Sequence, residues 1–173
     1  MDSWIFQGGH PVVSVASTTD GIRLHQRQFS YAQEPSNKLW HVPIIIKALV
    51  NGSLVEQRLL LADKTIEVSF NNSPTWVIVN AGGHGFYRVS YDNALLADLS
   101  TRALDVASAS ERYGLVNDTF ASVLAGEISA THFIALVTNL ASETDLGVWQ
   151  KILAALGHLH SIADSAGRTR LSI

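Results

Sequence analysis

Histidine has the widest chemical reach of the residues in this chain, because neutral imidazole ligates metals and imidazolium carries protons. The sequence has seven histidines and no cysteine, which excludes disulfides and thiolate metal sites. A His-Glu-x-x-His zinc motif needs two histidines one helical turn apart with a glutamate between them. No such pair occurs. His158 and His160 are two positions apart, which on a helix turns them roughly 200° from each other. They read as surface or half-buried histidines. His10, His25 and His41 fall in or beside strand-like segments, where ordinary proximity across a small sheet accounts for them.

Nucleophile and phosphate motifs are absent too. There is no Gly-x-Ser-x-Gly elbow. Gly82-Gly83-His84-Gly85 has the glycine density of a phosphate loop, but no Lys-Ser/Thr follows it, and it lies between two strand-like stretches. It reads as a turn; the other reading is a loop reaching towards a neighbouring domain with His84 at its tip. Glu111, Arg112 and Asp118 share one helical stretch, where capping or ion pairing is the expected use. Trp4, Trp40 and Trp76 fall in strand-like segments and are expected in the core. No residue is assigned a catalytic, cofactor-binding or metal-ligating role.

The elements around these residues change character at one place. Before Trp76 the sequence reads as strands, and after Asp92 as helices. Strands are expected at Trp4–Gln7, Val12–Ala16, Ile22–Tyr31, Leu39–Val50, Leu54–Leu61 and Ile66–Phe70, with a loop over 33–38 containing Pro35. Trp40, Val42, Ile44, Ile46 and Ala48 share one face by the two-residue period. The phase slips between Leu24 and Phe29, which predicts a bulge. Pro43 predicts an edge position or a bulge, and Asn51-Gly52 a hairpin. Trp76–Asn80 and Phe86–Tyr91 read as the two arms of the closing hairpin of the sheet. Helices are expected after Asp92-Asn93, from Ser110-Glu111 to Gly126, from Ser129, and from about Asp145 towards Ala163. Gly157 and Gly167 weaken the last segment, and Arg168 to Ile173 is expected to fray. The expected fold is therefore multidomain, β then α: an immunoglobulin-like antiparallel β-sandwich over 1–91, then an antiparallel helical segment of solenoid or bundle type over 92–173.

Composition narrows the function classes. Hydrophobic residues make up 47% and charged residues 16%, against about 25% charged in an average soluble domain. Mean hydropathy is +0.17. No apolar run reaches the roughly 18 to 20 residues that span a bilayer, so the excess is expected to serve an interface rather than a membrane. The net charge of −3 with scattered basic residues argues against nucleic-acid binding. Met1-Asp2-Ser3-Trp4 lacks the basic start and apolar run of a leader peptide, and the absence of cysteine fits a cytoplasmic location.

Five landmarks now fall into order. Trp4-Ile-Phe-Gln-Gly-Gly-His-Pro-Val-Val13 resembles the WxxQxGxPVV signature of the aminopeptidase N family of zinc metallopeptidases. Gln26-Arg27-Gln28-Phe29 is similar to its Q-x-x-F strand, and Trp40-His41-Val42-Pro43 to its W-x-[VI]-P strand. Asn80 with Gly85-Phe86-Tyr87-Arg88-Val89-Ser90-Tyr91-Asp92 resembles its N…G[FY]YRVxYD segment, and Arg112, Leu115 and Asp118 its R-x-x-L-x-x-D helix. The resemblance implies a fragment: a β-sandwich and the start of a large helical domain, downstream of the catalytic domain. The family's zinc motif and Gly-x-Met-Glu-Asn loop do not occur here, so no ligand or catalytic residue carries over and zinc belongs to the parent enzyme.

What this implies is a non-catalytic part of an enzyme that removes N-terminal amino acids from peptides. It would link the catalytic and helical domains and help to shape the peptide chamber. Its expected partners are the upstream catalytic domain, the remaining helices of the same chain and the parent's peptide substrate. Self-association through an exposed helical face is a further expectation. The fragment alone is expected to be inactive. The alternative reading is a stand-alone protein-binding module without enzymatic activity. A third, a small hydrolase in its own right, lacks any nucleophile–base or metal constellation.

Overall fold

Apolar residues repeating every two positions build the first half of the molecule, and residues repeating every three to four build the second. The computed structural model describes residues 2–32 and 36–163. It runs through a short helix α1 (Asp2–Ile5) and strands β1 (Pro11–Ser17), β2 (Gly21–Gln28), β3 (Val42–Val50), β4 (Ser53–Leu61), β5 (Thr65–Ser69), β6 (Trp76–Val79) and β7 (Arg88–Tyr91). Helices α2 (Asn93–Val106), α3 (Ala109–Leu124), α4 (Ala130–Asn139) and α5 (Leu146–Ile162) follow.

The strands form two facing sheets, ordered β5-β2-β1-β7 and β4-β3-β6. Every pairing is antiparallel except β1 with β7. Between the sheets lie Val13, Val15, Ile22 and Leu24 from one side and Trp40, Val42, Ile44, Ile46 and Ala48 from the other, all buried. The expected face of β3 is thus correct. A one-residue slip would turn that whole set towards the opposite face, so the register is strongly specified. Asn51 and Gly52 both take positive φ, 50° and 76°, as a tight primed hairpin turn requires.

Several local expectations are corrected. Trp4–Gln7 is not a strand: Asp2–Ile5 is helical, and Trp4 is held by its indole donating to the His41 carbonyl at 2.9 Å. The β1–β2 register runs unbroken from Pro11↔Gln28 to Ser17↔Ile22, so there is no bulge. Gln26 occupies the inward position after Leu24, and Phe29 lies beyond the strand. Pro43 stands in a central strand rather than at a sheet edge. It is tolerated because β6 pairs only with Ile46–Leu49, leaving that end of β3 free on one side. The expectations for Pro35, Gly167 and Arg168 to Ile173 fall outside the described residues.

The largest correction concerns the closing hairpin. β6 belongs to the smaller sheet and β7 to the larger, so residues 80–87 form an arch from one layer to the other. A 3-10 turn at Ala81–Gly83 starts the arch. Asn80, at φ 64°, clamps it by accepting from the Gly85 amide at 2.8 Å and donating to the Gly85 carbonyl at 3.2 Å. A side chain at Gly85 would meet the Tyr87 ring at 2.2 Å, so the arch needs glycine there. The Tyr91 hydroxyl accepts from the Val79 amide at 2.9 Å and ties the two strands across the layers.

Helix ends follow capping chemistry. Asp92 accepts from Leu95 N and also from Ser17 N, so the cap of α2 is fixed to the sandwich. α3 opens two residues earlier than expected, at a Ser108/Glu111 capping box. It ends with Gly126 at φ 71° and amides of Gly126 and Glu127 reaching back to Val123 and Ser122, a Schellman closure. Ser129 stands at the start of α4 but makes no capping bond; its hydroxyl meets Thr131 and His132 instead. Asp145 caps α5 through Val148 N. Helices two apart in order pack together, α2 with α4 and α3 with α5, as in a stacked helical array.

Candidate functional site

Of the residues that sequence chemistry singled out, Glu111 and Asp118 come together where helices meet sandwich. β6 is buried on both faces. Val77 and Val79 pair with Ala48 and Ile46 towards the inter-sheet core, while Trp76 and Ile78 share the opposite face with Leu49 and Lys47, against which α2 packs. One continuous apolar cluster therefore runs from Val13 through Ile78 and Leu96 to Phe133 and Ile152.

Polar groups then fix the geometry of this seam. Lys47 on β3 donates to the Val106 carbonyl at the end of α2 and to Glu111 in the first turn of α3, each at 3.0 Å. Its charge thus meets the negative end of one helix, and the Glu111 carboxylate the positive end of the next. Glu111 also accepts from the amides of Gly82 and Ser108. Burial pushes its carboxyl up, but these three donors outweigh it and hold it below the usual carboxylate range. Two turns further on, Asp118 accepts from Arg88 at 2.9 Å and from Val89 N at 3.0 Å, joining α3 to β7. Burial dominates at Asp118 and pushes it up to about 6 against the pull of those donors. Arg88 lies over the Phe29 ring, 4.7 Å from its centre.

A second buried cluster locks the helices to each other. Arg112 forks onto both oxygens of Glu143 and donates to the Ala107 carbonyl. Glu143 accepts further from Thr144 N and Asp145 N, and its carbonyl takes the Trp149 indole at 2.8 Å. The Glu143 side chain is wholly shielded from solvent. The Arg112 hydrogen bonds hold its carboxyl down to about 2, against burial and with help from the two amides. A carboxyl depressed in the fold stabilises it fully above the ordinary pKa of about 4.5, and that stabilisation is lost as pH falls towards 2. The expected loss is about 3 kcal/mol in urea unfolding between about pH 5 and pH 2. Glu143→Gln should abolish this part of the acid slope. Asp118 acts with the opposite sign, since its raised pKa favours the protonated form in the fold.

The seam encloses a cavity of about 30 Å³ lined by Ile78, Asn80, Tyr91, Glu111, Leu115 and Asp118 among others. That is room for water rather than for a peptide or cofactor. Glu111, Arg112 and Asp118 thus all serve in caps and ion pairs, as their types implied. The histidines are dispersed. His10 stacks on Phe29, His25 bonds the Thr65 hydroxyl, His41 and His84 are exposed, and His158 and His160 are exposed on α5. Among the described residues no three His, Cys, Asp or Glu side chains come together in a way that would hold a metal, so these residues do not fit a zinc site. Also among them, no helix is long and apolar enough to cross a membrane.

Sequence reasoning missed Lys47, Gln26 and Glu143. The broken apolar phase at Gln26 was a signal, because a polar residue held an inward position. Glu143 lies in the α4–α5 turn, where no periodicity marks it.

Two apolar surfaces stay open. At one end of the sandwich Ile5, Phe6 and Phe86 are 62%, 82% and 76% exposed, with the Trp4 ring beside Phe86. On α5, Leu146 and Leu153 lie two turns apart on one stripe, 71% and 62% exposed.

Residues 76–172 match the family described as the ERAP1-like C-terminal domain. The chain is also similar to the puromycin-sensitive aminopeptidase of Caenorhabditis elegans, with 32% identity over 94% of this chain and 18% of that protein. It resembles tricorn protease-interacting factor F2 of Thermoplasma volcanium at 29% identity, over 96% of this chain and 20% of that one. Aminopeptidase N of Rattus norvegicus is 32% identical over 95% of this chain and 18% of its own length. The chain therefore spans about a fifth of the length of these curated relatives.

Proposed function

The chain belongs to the ERAP1-like C-terminal domain family of the aminopeptidase N proteins, and on that premise we propose that it is the non-catalytic, load-transmitting part of a zinc aminopeptidase that removes N-terminal residues from peptides. The observation that carries this reading is the similarity along nearly the whole chain to proteins named as aminopeptidases. The continuous core and the Lys47–Glu111 and Arg88–Asp118 pairs support a rigid joint between sandwich and helices. In the parent, that joint sets where the helical part stands and so shapes the peptide chamber.

On this reading zinc and the catalytic residues belong to the parent enzyme, outside this chain. Ile5, Phe6 and Phe86 offer an apolar seat for the catalytic part, and Leu146 and Leu153 one for further helices or a second copy. A cytoplasmic location goes with this reading.

Sequencing the coding region upstream of Met1 tests it. An in-frame continuation containing His-Glu-x-x-His is the expected result. A stop codon and a ribosome site directly before Met1 would overturn it in favour of a stand-alone binding module.

A further inference from the structure

A groove of about 800 Å³ opens between the sandwich and the turn that joins α3 to α4, lined by none of the residues named for the seam cavity. The end of β2, the 36–39 loop, the turn between β4 and β5 and the turn between α3 and α4 enclose it. His25, Arg27, Lys38 and Lys64 all line it. Glu127 is the one carboxylate in the described lining, and it is already paired with Arg27. Lys38 donates only to the Gly8 carbonyl, and Lys64 has no carboxylate partner among the described residues. Both are exposed. Uncompensated cations in a concave surface focus a positive field and gather anions.

The rest of the lining narrows the class of anion. Gln28, Ser30, Ser36 and Asn37 supply donors and acceptors, and Leu39 is the single sizeable apolar side chain among the described residues of the lining. Among the described lining a nucleotide base would find only the His25 ring and Leu39 to rest on. An extended peptide would find partners for its amides and carbonyls, and cations for its acidic side chains.

We propose that this groove binds an extended acidic peptide in trans, with Lys38 and Lys64 reading its charge. The inference does not depend on the aminopeptidase reading. His25 serves as an internal reporter. Burial, then the charges of Lys64 and Arg27, hold its imidazole below the usual range, so carboxylates arriving in the groove must raise it.

The test is fluorescence polarisation of fluorescein-labelled hexaglutamate with the 173-residue chain at low salt, beside labelled hexaglutamine and an inorganic pyrophosphate competitor. Saturable binding of hexaglutamate alone is expected. It should weaken about tenfold in Lys38→Glu/Lys64→Glu and less in Lys38→Gln/Lys64→Gln. Far-UV circular dichroism checks that these surface variants fold. NMR titration should show the His25 pKa rising on saturation. No saturation below about 1 mM, binding indifferent to the charge reversal, or displacement by pyrophosphate as effective as by unlabelled peptide would each overturn the proposal.

Discussion

Replacing Glu143 by alanine is expected to lower stability by about 3–5 kcal/mol, the cost of breaking a buried ion pair from one side. The loss has three parts. Arg112 keeps its charge in a shielded site with no counter-ion. The Thr144 and Asp145 amides lose their acceptor. The α4–α5 turn loses the group around which it closes. A chain of this size should show a Tm lower by about 10 °C or more. Arg112→Met/Glu143→Leu is expected to recover part of this, because it removes the stranded charge, but not all, because the two amides stay unsatisfied. Urea unfolding at neutral pH checks both variants. A loss below about 1 kcal/mol in Glu143→Ala would mean that water reaches Arg112 and the site is not buried.

Gln26→Leu is the second large effect, at about 3 kcal/mol. The Gln26 amide donates to the carbonyls of Trp40, Leu61 and Asp63 and accepts from Trp40 N at 2.9 Å. It is fully buried and joins the larger sheet to the start of β3 and the end of β4 in the smaller one. Leucine keeps the volume and leaves those backbone groups unpaired. Gln26→Glu should be worse, because it brings a charge among carbonyl oxygens, and its penalty should grow as pH rises through the carboxyl's own pKa. Chemical unfolding across pH separates the two. A neutral Gln26→Leu would show that the amide merely fills space.

Both residues were missed in the sequence, whereas features set by near neighbours were not. The inward face of β3, the Asn51-Gly52 turn and the caps at Asp92 and Asp145 were readable, because each depends on neighbours a few positions away. The arch between β6 and β7 was not. Two short alternating runs around glycines look alike whether they fold back on each other or cross to another layer. What separates the cases is the parallel pairing of β7 with β1, a contact some 76 residues away in the chain. Trp4–Gln7 failed for a similar reason: its aromatic residues suit a strand, but the tryptophan is anchored by the His41 carbonyl, which sequence pattern does not reveal. The ion pairs were half visible. Glu111, Arg112 and Asp118 stood out on one helix, while their partners Lys47, Glu143 and Arg88 come from three separate elements.

The Lys47–Glu111 and Arg88–Asp118 links carry the central claim, that sandwich and helices are one mechanical unit. Scanning calorimetry of the 173-residue chain tests it most directly, with ellipticity at 222 nm following the helices and near-ultraviolet ellipticity following the tryptophan-rich sandwich. One transition is predicted, with coincident optical midpoints and equal calorimetric and van't Hoff enthalpies. Two separated transitions, the helices melting while the sandwich signal persists, would contradict it.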